Sequence, residues 1–423
     1  MQKKSRLKVN HHLIITFSSW DFFLTDLNLI PKSGKKDFSS KKSWRPISIG
    51  SSENWVLEKV FLKRLYPYSR TSDSQFGYKE NHSTSHAIEI VRTIERSYDA
   101  HICLLDASSA FDKLSWQRIR DQLIKRNVPY TFVKLILSQL CYTKIRICNT
   151  NVLFPRIGVK QGGVLSGVLF SWCYDDLVYE LERTGIGILI KTISSFIVLC
   201  ILVYADDILL ISASPSGLKT LIKRTFTFAT KYGDITFNTS KSWILRVGPH
   251  NKPPVSVCGI PTTECHEYLG VEIGRKADSQ KRCVTQLYSN SNKLFVQNKC
   301  LHKCSISVKN MCISSYGNVY CLENELSISS KLRNAHRYMT KSVHTSWPHY
   351  ADLDGPNIRS RRLYSVFQLD SLEVIHRRRR NYFLIKASTH ENKLIADIIG
   401  NLPRITFEIV LLLFYVIIVS PFF

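Results

Sequence analysis

The sequence is short of acidic residues, of paired cysteines and of long uncharged runs, and each shortage narrows what the chain can be. Against 58 Lys and Arg it sets only 33 Asp and Glu, a formal charge of +25 over 423 residues. Such a field attracts polyanions, and nucleic acid is the commonest large one. The 12 cysteines lie between Cys103 and Cys321 without a single Cys-x-x-Cys pair; the tightest spacing is Cys300-x-x-x-Cys304. A zinc site needs close pairs, so these thiols, mostly set in apolar runs, read as free, buried and intracellular. Met1–Lys8 is basic, with no apolar core before Leu13, so no secretion signal is read. The uncharged run Ile409–Phe423 has 15 residues, short of the roughly 20 that a membrane helix needs. A buried terminal helix, or a tail translated past a natural end, is favoured there over a membrane anchor. No internal repeat is visible, and an apolar fraction of 44% is ordinary for a chain with a real core.

What is present is organised. The first forty-five residues read as basic and loop-like, with Pro31–Lys36 as a turn. Helical periodicity follows in Trp55–Leu65 and Ser85–Tyr98. His101–Leu105 is a short apolar strand ending at Asp106. Helices are predicted over Trp116–Lys125, Thr131–Leu140, Ser166–Leu181 and Leu218–Tyr232, the last capped near Ser214-Pro215. Tyr142–Asn149 alternates as an exposed strand. Phe196–Val203 and Ile208–Ser212 are apolar strands interrupted by Tyr204-Ala205-Asp206-Asp207, and Trp243–Val247 is another strand. From Asp106 onward this order is that of the split βαβ, ferredoxin-like arrangement, which brings the end of the first strand beside the turn between the two central ones. Asp106 and Asp206-Asp207 should therefore meet on one edge of one sheet. Beyond Gly274 the chain turns helical and basic, with candidate helices at Gln280–Asn298, Val308–Cys321 and Lys331–Thr340. Arg359–Arg362 and Arg377–Arg380 are dense basic clusters, read as phosphate-contacting faces or a targeting signal.

Two adjacent carboxylates between apolar strands repel one another, and burial disfavours their ionised forms. Divalent cations cancel that penalty, and phosphoryl-transfer enzymes hold two metals about 3.5–4 Å apart for this purpose. Mg²⁺ prefers the oxygen ligands such a turn offers. The plain alternative for a bare Asp-Asp is a solvent-exposed hairpin turn. A second acid at a strand end, Asp106, weakens that alternative, and the carbonyl of Ala107 could complete a metal shell. Asp112 reads as an acid at a helix start. Gly158–Ser166, with Gly162-Gly163, is a glycine-rich loop opening a helix but lacks the Walker ending.

Together these residues resemble the reverse transcriptases of non-LTR (LINE-type) retrotransposons. Seven motifs stand in family order: Arg45-Pro46-Ile47-Ser48; Gln75-Phe76-Gly77-Tyr78 with His82-Ser83-Thr84; Asp106–Asp112; Gln161-Gly162-Gly163 through Phe170; Tyr204–Asp207; Asn238–Lys241; and Tyr268-Leu269-Gly270. The resemblance spans about Leu27–Gly274 and continues loosely to about Gly400. It implies an α+β right-hand polymerase. Fingers and a basic N-terminal segment would occupy 1–100, a ferredoxin-like palm 101–275, a helical thumb 276–350, a basic extension 351–404 and an apolar tail 405–423. The implied reaction is RNA-directed DNA synthesis, with an RNA template, a DNA primer, dNTPs and two Mg²⁺ ions, or Mn²⁺. Asp106, Asp206 and Asp207 would bind metal with Ala107. Arg45 would contact the triphosphate, Phe111 would exclude a 2′-hydroxyl, and Gln161 and Gly162 would border the nucleotide. Lys241 would face the pyrophosphate, and Tyr268, Leu269 and Gly270 would hold the primer end. An intracellular, nuclear and cytoplasmic protein is implied, from a truncated copy without the family's endonuclease.

Three positions depart from the family pattern. Ser109 stands where Lys is frequent, Gly167 where Pro is usual, and Ile193–Val203 is long and apolar. Four alternatives stay open at this point: a group II intron-type reverse transcriptase, a viral RNA-dependent RNA polymerase, a decayed remnant that only binds nucleic acid, and a ferredoxin-fold nucleotide cyclase.

Overall fold

The computed structural model describes residues 23–289, 329–344 and 372–402, apart from 33–36, 38, 41–42, 108–109, 148–150, 193–194, 251, 276, 279, 282–283 and 286. The first described elements are β1 (Leu24–Pro31) and β2 (Trp44–Gly50), an antiparallel pair, followed by helices α1 (Ser52–Leu65) and α2 (Thr84–Ser97). Next come β3 (Ala100–Asp106), the short α3 (Ala110–Lys113), α4 (Trp116–Lys125), α5 (Tyr130–Tyr142), β4 (Lys144–Ile147), β5 (Asn151–Leu153) and α6 (Ser166–Glu182). A hairpin of β6 (Ile188–Lys191) and β7 (Phe196–Leu199) leads into β8 (Ile201–Tyr204), β9 (Asp207–Ser212), α7 (Pro215–Tyr232) and β10 (Trp243–Val247). The hairpin β11 (Cys265–Tyr268) and β12 (Val271–Gly274), then α8 (Ser330–His344) and α9 (Leu372–Ser388), complete the described elements.

The central sheet has the order β10-β3-β9-β8, all neighbours antiparallel. This is the expected ferredoxin-like order. Its strands are apolar on both faces, and the period-two alternation of a strand divides them between two cores. Cys103, Leu105, Val203, Ile208 and Leu210 pack with α4, α5, α6 and α7. Ile102, Leu202, Leu209 and Ile211 pack with Ile88, Ile90 and Val91 of α2. The helix ends follow local chemistry. Ser214 Oγ accepts from Gly217 N at 3.1 Å with Pro215 in the first turn, and Gly233 closes α7 at φ 71°.

Three sequence expectations are corrected. The N-terminal segment is not all loop, because β1 and β2 join β4 and β5 in a sheet of order β2-β1-β4-β5. β1 is largely unburied, despite Leu27, Leu29 and Ile30, and is held by pairing with β2 and with the distant β4, a long-range cause. Phe196–Val203 is not one strand: it breaks at Cys200, and its first half pairs with β6 instead of the central sheet. Tyr142 ends α5, so the strand proposed from that residue spans Lys144–Ile147, with 148–150 outside the described residues.

Residues 372–402 pack back onto α2 and the central sheet. Phe383, Leu384, Ile395 and Ile399 enter the core that contains α2. Arg380, read from sequence as part of a phosphate-contacting cluster, is instead 1% exposed and ion-paired with the fully buried Glu89 at 3.1 Å. An unpaired charge at that depth would be costly. Lys331–Thr340 falls within α8. Val308–Cys321, Arg359–Arg362 and Ile409–Phe423 lie outside the described residues, and among the described residues no helix is long and apolar enough to cross a membrane.

Candidate active site

Asp106, the last residue of β3, is the cross-strand partner of Asp207, the first of β9, and Tyr204 at the end of β8 is paired with Asp207 from the other side. The connection is only Ala205-Asp206, and Ala205 takes φ 57° to close it, a conformation that strains a residue with a Cβ. The turn is braced from behind. Gly77 packs so closely that a Cβ there would lie 2.4 Å from Ala205 N. The three carboxylates predicted to act together thus share one sheet edge. Among the described residues, however, no three Asp, Glu, His or Cys converge as a ready-made coordination shell.

The edge is electrostatically costly. Burial first, then Asp206 and Asp106, push the Asp207 carboxyl up to about 6, while Arg45 on β2 opposes the shift. Burial first, with a contribution from Asp106, also raises Asp206. Both side chains remain open to solvent at the tip of the turn, so the desolvation comes from protein crowding the turn on its other sides. That opening leaves room for a ligand.

Asp106 is held by Asn238–Ser242. Its carbonyl accepts from Asn238 N at 2.9 Å and its amide donates to Ser242 Oγ at 3.2 Å. Lys241 in the same turn places Nζ 4.0 Å from Asp106 Oδ2. Ala107, next along, stands opposite Phe237 in an isolated bridge. A cavity of about 90 Å³ joins Asp106, Asp207 and Lys241 to His266, Tyr268 and Leu269. Leu269 and Gly270, at φ 47° and 87°, form the turn between β11 and β12. Asp106, Asp207, Lys241, Tyr268 and Leu269, separated by up to 163 residues, therefore line one space.

The predicted nucleotide side is assembled around α6. Phe111 stacks on Phe170 with centroids 4.5 Å apart and planes at 10°, and meets Tyr78 edge-on at 6.1 Å. Gln161 donates from Nε2 to Asp112 at 3.2 Å, while its carbonyl accepts from Ser48 N at 2.7 Å. Asp112 thus has a specific partner besides its place at a helix start. Gly162 has φ 106°, and a Cβ there would approach Ser48 O at 2.8 Å, so glycine is required on both counts. The loop is tied in this way to the strand that carries Arg45.

Sequence reasoning missed Glu58. On α1 and buried, it accepts from Lys160 Nζ at 2.6 Å, Gln139 Nε2 at 3.1 Å and Val164 N at 2.6 Å. It fixes both ends of the glycine-rich loop. A Glu among the apolar residues of a helix that leaves Trp55, Val56 and Val60 exposed offers no local signal for this. Ser242 was missed as well, although its place directly after Lys241 could have shown it.

A model of the family described as "Reverse transcriptase (RNA-dependent DNA polymerase)" matches residues 30–273. The chain belongs to the reverse transcriptase family. Its type is that of the non-LTR retrotransposons. It is 29% identical over 57% of its length to the Retrovirus-related Pol polyprotein from type-1 retrotransposable element R2 of Popillia japonica, and covers 36% of that protein. It is 26% identical over 51% of its length to the corresponding protein of type-2 element R2DM of Drosophila melanogaster, covering 21% of it. The chain thus spans about a third or less of these relatives. Among solved structures, apo telomerase from Candida tropicalis aligns at TM-score 0.46 and 14% identity, over 92% of this reverse transcriptase chain and 70% of that one. The sheet order, the flanking helices and the family match make the fold an α+β right-hand polymerase.

Proposed function

We propose that the chain is an RNA-directed DNA polymerase that adds dNTPs to a DNA primer on an RNA template. The observation that carries this is the Asp106–Asp207 cross-strand pair, beside the Asp206 turn and opening onto the cavity that holds Lys241 and Tyr268. Family members are divalent-metal dependent, and this site fits: crowded, mutually repelling carboxylates with raised affinity for protons also favour small divalent cations. Asp106, Asp206 and Asp207, with the Ala107 carbonyl, would hold two Mg²⁺ or Mn²⁺ ions. Bound there, the ions would lower the charge on the attacking and leaving oxygens.

The remaining roles belong to the same proposal. Arg45 offers a guanidinium to the triphosphate. Phe111, held flat on Phe170, excludes a 2′-hydroxyl, and Gln161 and Gly162 shape the pocket beside it. Lys241 meets the leaving pyrophosphate, and Tyr268-Leu269-Gly270 seats the primer end. The division into fingers to residue 100, palm 101–275, thumb 276–350, extension 351–404 and tail 405–423, and a nuclear and cytoplasmic location, are also proposals. Primer extension on RNA and DNA templates, with dNTPs against rNTPs, tests the reading. Mg²⁺-dependent extension on RNA with dNTPs is expected. Binding without extension would leave only a nucleic-acid-binding remnant.

A further inference from the structure

The catalytic turn is braced by a segment that is itself held from an unexpected place. Residues 73–81 run behind the turn. Val203 N donates to Ser74 O at 2.9 Å, Phe76 N to Val203 O at 2.8 Å, and Gly77 abuts Ala205. Within this segment Tyr78 and Asn81 both take φ 60°. Such backbone persists only where its surroundings fix it. Tyr78 is packed against Phe111, whereas the two ends of the segment are held by the C-terminal extension, more than a hundred residues beyond the end of the family match at 273. Asn392 Nδ2 lies 2.8 Å from Asp73 O and 3.1 Å from His82 Nε2. Lys393 N donates to Asp73 Oδ2 at 3.2 Å, and His390 Nε2 lies 3.0 Å from Asn81 O. Both ends of the bracing segment are thus gripped by residues 390–393. The grip is anchored on one side by Arg380–Glu89, and on the other by the π-helical turn Ile395–Ile399 packed into the α2 core.

We propose that Asn392, assisted by His390, is a positioning residue for the catalytic turn, clasping the 73–81 segment so that Gly77 holds Ala205 and the acids in place. The inference rests on the polymerase reading of that turn. Asn392 is 2% exposed and has two separable tasks. Its Oδ1 accepts from Ile395 N at 3.2 Å, a cap, while its Nδ2 makes the clasp.

Asn392→Ser separates them, because serine caps a helical turn well but cannot reach Asp73. In the full chain we expect melting temperature and RNA affinity to stay near wild type. Amide exchange at Phe76 and Val203 should quicken about tenfold while β10 and α7 are unchanged. The turnover number should fall about tenfold, with the dNTP KM within about twofold. His390→Ala, which keeps the Asn392 Oδ1 cap but removes the acceptor of Asn392 N, should shift the same amides in the same direction. Unaltered exchange at Phe76 and Val203 in both variants would overturn the clasp, as would altered exchange with an unchanged turnover number. Should the wild-type chain fail to extend primers at all, the polymerase reading falls with the catalytic half of this inference, while the exchange measurement still decides whether the clasp holds the turn.

Discussion

Asp106 and Asp207 face one another across adjacent antiparallel strands, so two carboxylates are fixed as direct neighbours by the backbone ladder itself. Raising the Asp207 carboxyl to about 6 from an ordinary 3.8 means the folded state binds its proton more tightly than the unfolded chain does. Without metal, this group therefore withdraws stability as pH rises from about 4 to 6, and the loss persists above that. Asp207→Asn should melt higher than wild type in EDTA at pH 8. It should also lose extension by at least about a thousandfold, because electrostatic stabilisation of phosphoryl transfer is worth several kcal/mol. Calorimetry in EDTA and a primer-extension rate check the two halves. A lower melting point would refute the electrostatic account, and near-normal extension the catalytic one.

Phe111 is both gate candidate and packed aromatic, since its ring lies on Phe170 at 4.5 Å. Phe111→Val should admit rNTPs, because a clash discriminates where attraction cannot. Its cost in stability should stay below the about 3–5 kcal/mol of a full Phe→Ala truncation, since the ring is only partly buried and valine keeps part of the packing. The rNTP/dNTP ratio, measured with the melting temperature, separates the roles. Stability lost with selection unchanged would reduce Phe111 to packing.

Much of this was legible in the sequence because it is local. The strand ending in Asp106, the Tyr204–Asp207 turn, Ser214 before α7 and the β3 to β10 order all follow from period, caps and apolar runs. What escaped depends on partners far away. β1 is held by its neighbours, not by its own pattern, and Cys200 ends one strand only because β6 captures the first half. Glu58 looks like any surface acid until Lys160 and Val164 are brought to it. Arg380 looks like its three neighbours in sequence until Glu89 is placed beside it.

That last contrast can be measured. Arg380→Ala leaves Glu89 in the core with Arg96, 2.7 Å away, as a remaining charged partner. Breaking a buried pair costs about 3–5 kcal/mol, and the residual partner puts the expected loss at the lower end. Replacing Arg377, Arg378 and Arg379 with Gln should cost less stability than Arg380→Ala, because none of the three is as deeply buried. It should reduce the log K against log salt slope for RNA by up to about 0.7–0.9 for each phosphate that is no longer neutralised. An unchanged slope would show that these three do not touch nucleic acid.

Acid should weaken the fold through histidine. Burial lowers His82, His86 and His336 to about 4 from an ordinary 6.5. Lys79 and His390 disfavour charge on His82, His390 does so on His86, and Glu373 opposes the shift at His336. The unfolded chain then binds more protons below 6.5, so the histidines' contribution to stability is full above about 7 and falls as pH drops toward 4. Melting temperature should decline between pH 7 and 5, and His336→Gln should flatten that decline. An unchanged profile in the variant would assign the acid sensitivity elsewhere.

Gly167 occupies the position where the family pattern has proline, and the structure supplies a steric reason. A Cβ on Gly167 would lie 2.2 Å from Tyr78 Cδ1 and 2.5 Å from Cγ and Cε1. The Tyr78 ring fills the space that a side chain on α6 would take. That ring is also placed near the acids: burial first, then Asp206, pushes its phenol up to about 12. Because Gly167 is the second residue of α6, the missing N–H of a proline would cost little there, and the obstacles are Tyr78 and the helical backbone of Ser166, which a following proline disfavours. Gly167→Ala should destabilise by about 1–3 kcal/mol as the ring is displaced from Phe111. Gly167→Pro should do the same. Tyr78→Ala should recover most of the loss in the alanine background and less of it in the proline one, giving a favourable coupling between neighbours of about 0.5–3 kcal/mol. Melting curves for the four members of each cycle measure it. Additive effects would mean that glycine at 167 and tyrosine at 78 are independent, leaving the departure from proline without a cause in Tyr78.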